Sequence, residues 1–304
     1  MTLKGKYEQS HIVVKVFQWL GCIFLLCIPA LASVPMFSDL TSVVAIKWSQ
    51  LIQTLAVFLL PPLCMAYLWS RQPLAWLQLS RVKFNSGTTW LWAVVVMLVA
   101  LPAINLLGWL NQQMSLPAFL TPVEAWMRAA EDAAMAMTQQ MLAANTLGVL
   151  VVNLLLMAVL PAVAEELTFR GVLQQLVRSK RASDNHGVPH VAIWVTAILF
   201  SAIHLQFYGF VPRMLMGALF GYALVWTGSL WVPMLMHMTN NAMVVLLYYM
   251  TQRVGWDMEK IDAIGTDDTL WLGVVSILLT AVGIYVLRRS TTMSNASSRI
   301  SSGN

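Results

Sequence analysis

The chain has 304 residues, of which 59% are hydrophobic and only 10% charged, with 18 Lys and Arg against 13 Asp and Glu. Its mean hydropathy is +0.70. A water-soluble domain carries about 25% charged residues, so this composition excludes a soluble globule, and the net charge of +5 reads as basic loops flanking a membrane rather than a nucleic-acid surface. Apolar stretches of about 20 residues, rather than alternating strands of about ten, predict an all-α polytopic membrane helix bundle.

In chain order, a polar start with Lys4, Lys6 and Lys15 precedes a first span from Val16 to about Met36. Ala30-Leu31-Ala32 resembles a signal-peptidase site, but the apolar run continues past it, so the segment is read as an uncleaved helix. The second span, Trp48 to Trp69, is expected to kink at Pro61-Pro62. Arg71, Arg81 and Lys83 lie in the loop to a third span, Trp90 to Leu110. Trp126 to Ala144 is rich in Ala and Met, with Glu124, Arg128, Glu131 and Asp132 in or beside it, and predicts an amphipathic helix near the membrane surface. The fourth span begins near Asn145; the fifth covers Val188 to Leu205, the sixth Val211 to Trp226, the seventh Leu230 to Met250 and the eighth Leu270 to Leu287. Cys22, Cys27 and Cys64 lie in apolar segments without metal-ligand spacing and are read as buried thiols. The tail after Arg288-Arg289 is rich in Ser and Asn and is expected to be disordered.

With eight spans the basic segments 1–15, 70–89, 171–187 and the tail fall on one side, which predicts that both termini are cytoplasmic. The chain then divides into N-terminal membrane helices with an amphipathic connector (1–144), a core (145–250), an outer loop and last transmembrane helix (251–289) and a disordered cytoplasmic tail (290–304).

Two carboxylates, Glu165 and Glu166, close the apolar run from Leu147 to Ala164. A charge in hydrocarbon costs about 2.5–3.5 kcal/mol on insertion scales and usually faces a partner or a cavity. Arg170 is four residues beyond Glu166 and on its helix face, so those two are expected to pair as a structural unit. Glu165 points about 100° away and keeps no local cation, which suits a desolvated general base. Phe200 and His204 are four apart in the fifth span, and His237 and Asn241 four apart in the seventh. Each pair is expected on one helix face. Simple depth places Glu165 and His237 toward the cytoplasmic side and His204 nearer the outer face, a mismatch that a short or tilted hairpin of spans five and six would remove.

Glu-Glu-x-x-x-Arg, then Phe-x-x-x-His, then His-x-x-x-Asn, all in hydrophobic helices, resembles the CAAX-protease and bacteriocin-processing (Abi, CPBP) family of intramembrane endopeptidases. The resemblance covers about Asn145 to Met250. It implies an enzyme of a bacterial inner (cytoplasmic) membrane that hydrolyses a peptide bond in a membrane-associated protein or peptide. Its partners would be that substrate and the lipid bilayer, with no nucleic acid. On the favoured mechanism Glu165 and His204 activate a water while His237 and Asn241 stabilise the oxyanion, without a cofactor. Glu166, Arg170 and Phe200 would support them. On the alternative, Glu165, His204 and His237 hold a zinc ion that lowers the pKa of bound water. His-Glu-x-x-His is absent and no two of these histidines share a helix, which favours the metal-free form. A non-catalytic scaffold of the same fold and a transporter are the rival readings. The intact Glu165, His204 and His237 speak against the first, and the absence of visible repeated halves against the second.

Overall fold

The computed structural model describes residues 3–32, 42–80, 87–144, 146–178 and 188–301, with side chains as far as Thr291. Among the described residues there is no strand. The principal helices are α1 (Ile12–Ala32), α2 (Val43–Trp69), α3 (Gly87–Val99), α4 (Leu101–Gln112) and α5 (Thr121–Leu142). They continue with α6 (Leu147–Val177), α7 (His190–Ala202), α8 (Phe210–Thr227), α9 (Trp231–Val254) and α10 (Leu270–Ser301).

Prolines shape several of these helices without ending them. In α2 the turn Thr54–Leu59, just before Pro61-Pro62, widens to a π-helical turn, and in α6 the turn Leu154–Val159 does the same before Pro161. A proline has no N–H and its ring crowds the carbonyl four residues back. The widened turn accommodates that clash at the prolines where a kink was expected, and α2 remains a single span. The carbonyl of Phe58, which would otherwise meet the N–H of residue 62, instead accepts a hydrogen bond from Thr168 Oγ1 at 2.8 Å. A defect in α2 thereby becomes an attachment point for α6. Pro102 stands near the start of α4, and α3 and α4 meet at a 43° bend.

The expected count of eight spans is not confirmed. Among the described residues, five helices are long and apolar enough to cross a membrane, or six if α3 and α4 count as one bent span. Two expected spans account for the difference. Helix α7 has 13 residues, about 20 Å of helix, against a hydrocarbon core of about 30 Å. Helix α9 has 24 residues and is long enough, but His237, Thr239, Asn240, Asn241, Gln252 and Arg253 dilute its apolar character. The last helix also differs from expectation. It continues past Arg288-Arg289 to Ser301, so the tail expected to be disordered is helical over its described part. No Gly or Pro interrupts the chain between Gly283 and Gly303, and nothing else there forces a helix to stop.

The protein is an integral membrane bundle, and its surfaces show it. Helix α1 buries only Trp19 and turns Phe17, Phe24, Leu25 and Leu31 outward, as a helix apolar on all sides does in lipid. Trp19 packs with Met65, Trp69, Leu167 and Met234, joining α1, α2, α6 and α9, and Trp69 Nε1 donates to Gln18 Oε1 at 2.7 Å. A second cluster, Val96, Met97, Phe220, Met236 and Leu287, joins α3, α8, α9 and α10. The cysteines are free thiols, but Cys22 and Cys27 are only half-buried and Cys64 is exposed, because α1 and α2 meet at the edge of the bundle and not at its centre. The amphipathic helix α5 begins at Thr121, ahead of the expected Trp126. Glu124 anchors its start, accepting from the Leu116 N–H at 2.9 Å and from Arg128 Nη2 at 2.7 Å. These two contacts, the backbone N–H first, hold the Glu124 carboxyl below the usual carboxylate range.

Helices α7 and α8 form a tightly packed hairpin. Gly217 and Gly221 are four apart on α8 and face α7. A Cβ on Gly221 would lie 3.0 Å from Ile193 and 2.7 Å from Gln174 Oε1. Small residues at this spacing let helix backbones approach closely in a membrane. Gly221→Val is expected to lower the melting temperature of the purified protein, since overpacking a close helix contact costs about 1–3 kcal/mol. Gly108→Ala, with nothing within 4 Å of the added Cβ, should leave it unchanged.

Candidate active site

The site is assembled from the ends and middles of four helices. Helix α6 supplies Glu165, Glu166 and Arg170, with a second π-helical turn at Leu167–Leu173 immediately after the carboxylates. Such turns recur at functional positions because they redirect side chains within a helix. Helix α9 supplies His237, Asn240 and Asn241 in its first half. Helix α7 and the turn after it supply Phe200 and His204, and α8 supplies Arg213 and Phe220.

Glu165, Phe200, His204, His237 and Asn241, which stand far apart in the chain, line one cavity of about 110 Å³, together with Arg213, Met216, Phe220 and Asn240. A site needs only about 10–15 Å³ of such space to admit a water. Glu165 faces this cavity with its Oε2 3.9 Å from His237 Nε2.

Glu166 points the other way and is fully buried. Its Oε1 accepts from Arg170 Nη1 at 2.7 Å, the pairing anticipated from the spacing of the two residues. The same oxygen also lies 3.0 Å from His237 Nδ1, a contact between α6 and α9 that helical spacing could not reveal. Ionised beside Arg170, Glu166 only accepts, so Nδ1 of His237 carries the proton in this contact and Nε2 is turned to Glu165 and the cavity. Arg170 also donates to the Gly217 carbonyl at 2.7 Å, and its guanidinium lies 4.6 Å from the Phe200 ring centre and 5.4 Å from that of Phe220. Phe220 stacks on His237 with ring centres 5.2 Å apart, and Phe200 meets the rings of His204 and His237 edge-on. Phe200 therefore packs against both histidine rings of the site and against the Arg170 cation.

His204 is not inside a helix, as the sequence suggested, but two residues beyond the end of α7. Its Nδ1 lies 2.8 Å from the Phe200 carbonyl. A carbonyl only accepts, so Nδ1 is the donor and Nε2 is the free acceptor of the neutral ring. The bond also satisfies a carbonyl that the helix end leaves open. Leu205 then takes φ 53°, a left-handed conformation that turns the chain back toward α8. The turn is held from outside. Asn111 of α4 donates to the Phe207 carbonyl at 3.0 Å and accepts from the Val211 N–H at 2.8 Å. Glu131 of α5 accepts from the Tyr208 N–H at 3.1 Å. The shortness of α7 thus brings His204 to the level of Glu165.

Asn241 lies beside Asn240, whose Nδ2 donates to Asn241 Oδ1 at 3.3 Å. Orienting that oxygen toward Asn240 leaves the Asn241 amide N–H groups for the cavity. The zinc alternative would need Glu165, His204 and His237 to converge as ligands. Among the described residues, no group of three His, Cys, Asp or Glu side chains is placed to hold a metal ion, so these residues do not fit one as they stand. Arg213 was missed in the sequence. The signal was there, since Arg213 is the only charged residue in α8, and an intramembrane charge marks a site by default.

Comparison with known proteins bears on the same region. Residues 147–243 match the family model described as type II CAAX prenyl endopeptidase Rce1-like. An uncharacterized protein of Bacillus subtilis (strain 168), YpbD, is 30% identical over 94 residues, which make up 30% of this chain and 42% of YpbD. The chain therefore matches less than half the length of that curated relative. No solved structure matches the chain.

The shared oxygen of Glu166 makes a specific expectation for stability. Removing one partner of a buried ion pair leaves an uncompensated charge, at a cost of about 3–5 kcal/mol. Arg170→Gln should accordingly reduce folded yield strongly, and Glu166→Gln should do the same. The double substitution should recover part of the loss. Folded yields by gel filtration in detergent check this, and strictly additive losses would reject direct coupling.

Proposed function

We propose that this chain, Rce1-like over residues 147–243, is an intramembrane endopeptidase that hydrolyses a peptide bond of a membrane-associated protein or peptide by activating a water without a metal. The observation that carries the reading is the orientation of His237. A buried carboxylate, itself fixed by Arg170, holds one ring nitrogen and turns the other toward Glu165 in a cavity that admits water.

In this mechanism Glu165 is the general base. It takes a proton from a water whose oxygen attacks the peptide carbonyl carbon, and His204 Nε2 helps to orient that water as an acceptor. The carbonyl oxygen becomes negative as the tetrahedral intermediate forms. It receives hydrogen bonds from the Asn241 amide and from His237 Nε2. That second donor requires the ring to carry both protons. Collapse of the intermediate breaks the carbon–nitrogen bond, and the proton held by Glu165 passes to the departing amine. The products are a carboxylic acid and an amine, and Glu165 returns to its starting form. The misfit of three ligands to a metal supports the choice of this form over the zinc one. The basic segments of the sequence support a bacterial inner membrane orientation with both termini cytoplasmic.

Glu165→Gln preserves shape and removes the base. Cleavage of a membrane-anchored peptide library by purified protein should fall by about 10²–10⁴-fold, with an unchanged melting temperature. His204→Ala should cost a similar factor and the double variant little more, because groups acting in one step are not additive. Elemental analysis of the active protein should find no stoichiometric metal; about one zinc per chain, lost with activity in His204→Ala and His237→Ala, would overturn the metal-free form. For orientation, a reporter fused after Arg289 should register the cytoplasm and one at Thr266 the outside. The reverse would invert the topology.

A further inference from the structure

Arg213 is the one charged residue lining the cavity to which the proposed mechanism gives no part. It is held in place with some care. Its Nη2 donates to Gln206 Oε1 at 2.7 Å and its Nη1 to the Gln206 carbonyl at 3.4 Å. The guanidinium lies against Gly209, where a Cβ would come within 3.1 Å of Nη2. The turn carrying Gln206 and Gly209 is itself clamped by Asn111 and Glu131. Five N–H groups form the guanidinium fork, and among the described residues only Gln206 draws on them.

Its charge is not matched locally. Among the described residues no carboxylate oxygen lies within 4 Å of Arg213, whereas Arg170 has Glu166 at 2.7 Å. Glu131 and Glu165 act on Arg213 only from farther off. If its purpose were to neutralise Glu165, direct contact of the kind Arg170 makes would be the economical arrangement. A fixed, half-buried cation without a contacting anion, opening on a cavity with a catalytic carboxylate, is instead complementary to an anionic group of a ligand.

We infer that Arg213, seated by Gln206 and Gly209, is the anchor of an anion subsite beside Glu165, and that the group it takes is a carboxylate of the peptide substrate. The inference rests on the endopeptidase reading. A carbonyl poised between Glu165 and Asn241 leaves the adjoining chain to run along the same cavity to Arg213. Because Arg213 and Glu165 line the same cavity, the carboxylate belongs close to the bond that is cut. It comes either from the free end of the chain or from an acidic side chain. In both cases Arg213 would favour substrates that carry the anion and orient them through a two-pronged contact.

The test uses full-length protein in detergent and three lipid-anchored peptides of one sequence. One ends in a free acid, one in a carboxamide, and one in a carboxamide with Asp as its last residue. Binding is measured on Glu165→Gln protein, and cleavage on protein with Glu165 intact. A hydrogen-bonded charge pair supports a preference of about 10- to 100-fold for a carboxylate-bearing peptide over the plain carboxamide. Preference for the free acid alone assigns a chain terminus, and an equal preference for the Asp peptide assigns a side chain. Arg213→Gln should abolish the preference and Arg213→Lys should keep part of it. Arg253→Gln, whose cation sits against Tyr249 outside the cavity, should keep it whole. Equal binding of all three peptides by protein with Arg213 intact would overturn the inference whatever the variants do. So would an equal loss for all three peptides in folded Arg213→Gln and Arg213→Lys, since that marks a counter-charge. If no peptide is cleaved but the acid still binds better through Arg213, the endopeptidase reading falls and the anion subsite stands.

Discussion

The site depends on one fully buried carboxylate. Glu166 has no access to solvent, and its side chain lies 2.7 Å from the Arg170 guanidinium. A buried ion pair of this kind is weak evidence for stability, because desolvation of both charges offsets most of their attraction. Its effect here is positional. Arg170 reaches on to the Gly217 carbonyl and Glu166 to His237, so the pair links α6 to α8 on one side and to α9 on the other. In a membrane the apolar surfaces of helices gain little by meeting each other rather than lipid, and directional polar contacts do more of the work of choosing neighbours. The orientation of His237, and with it the contact to Glu165, follows from that choice.

Around this centre the helices are irregular where the site requires it. Prolines widen turns in α2 and α6, and the Phe58 carbonyl left open by Pro62 is used to fasten Thr168. Helix α7 stops short, its last open carbonyl is taken by His204, and Leu205 reverses the chain. The glycines of α8 allow α7 to approach closely enough for Phe200 to touch both histidines and the Arg170 cation. At α2 and at the end of α7 the carbonyl left open is taken by a side chain, Thr168 Oγ1 in one case and His204 Nδ1 in the other. The polarity of α9 is a similar exchange. The side chains that line the cavity make it less apolar than a membrane span usually is.

Much of this was legible in the residue pattern. The apolar composition alone identified a helical membrane bundle, because helix length in a bilayer is set by hydrocarbon thickness. The i,i+4 relation of Glu166 and Arg170 foretold their contact, because helix geometry makes it local. The placement of Glu165, His204, His237 and Asn241 around one cavity followed the three spaced motifs. The number of spans was not legible. The apolar run over Val188 to Leu205 does not show that α7 ends at Ala202, whereas the polar residues that dilute α9 are visible in its sequence. Lone charges could have been read further, since Arg213 stands isolated in α8.

The sequence by itself determined what lies within a single helix: which segments are apolar, which residues share a face, and where prolines and glycines interrupt the backbone. Only the tertiary structure decided which helix end meets which helix middle. It showed that Glu166 serves His237 as well as Arg170, that His204 sits on a turn and is held by the Phe200 carbonyl, and that Arg213 faces the cavity without a contacting carboxylate. The physical reason is one of range. Rise and periodicity fix neighbours three or four residues away along one helix, whereas the contact between Glu166 and His237 spans 71 residues and exists only once close packing has set the relative depth of α6 and α9.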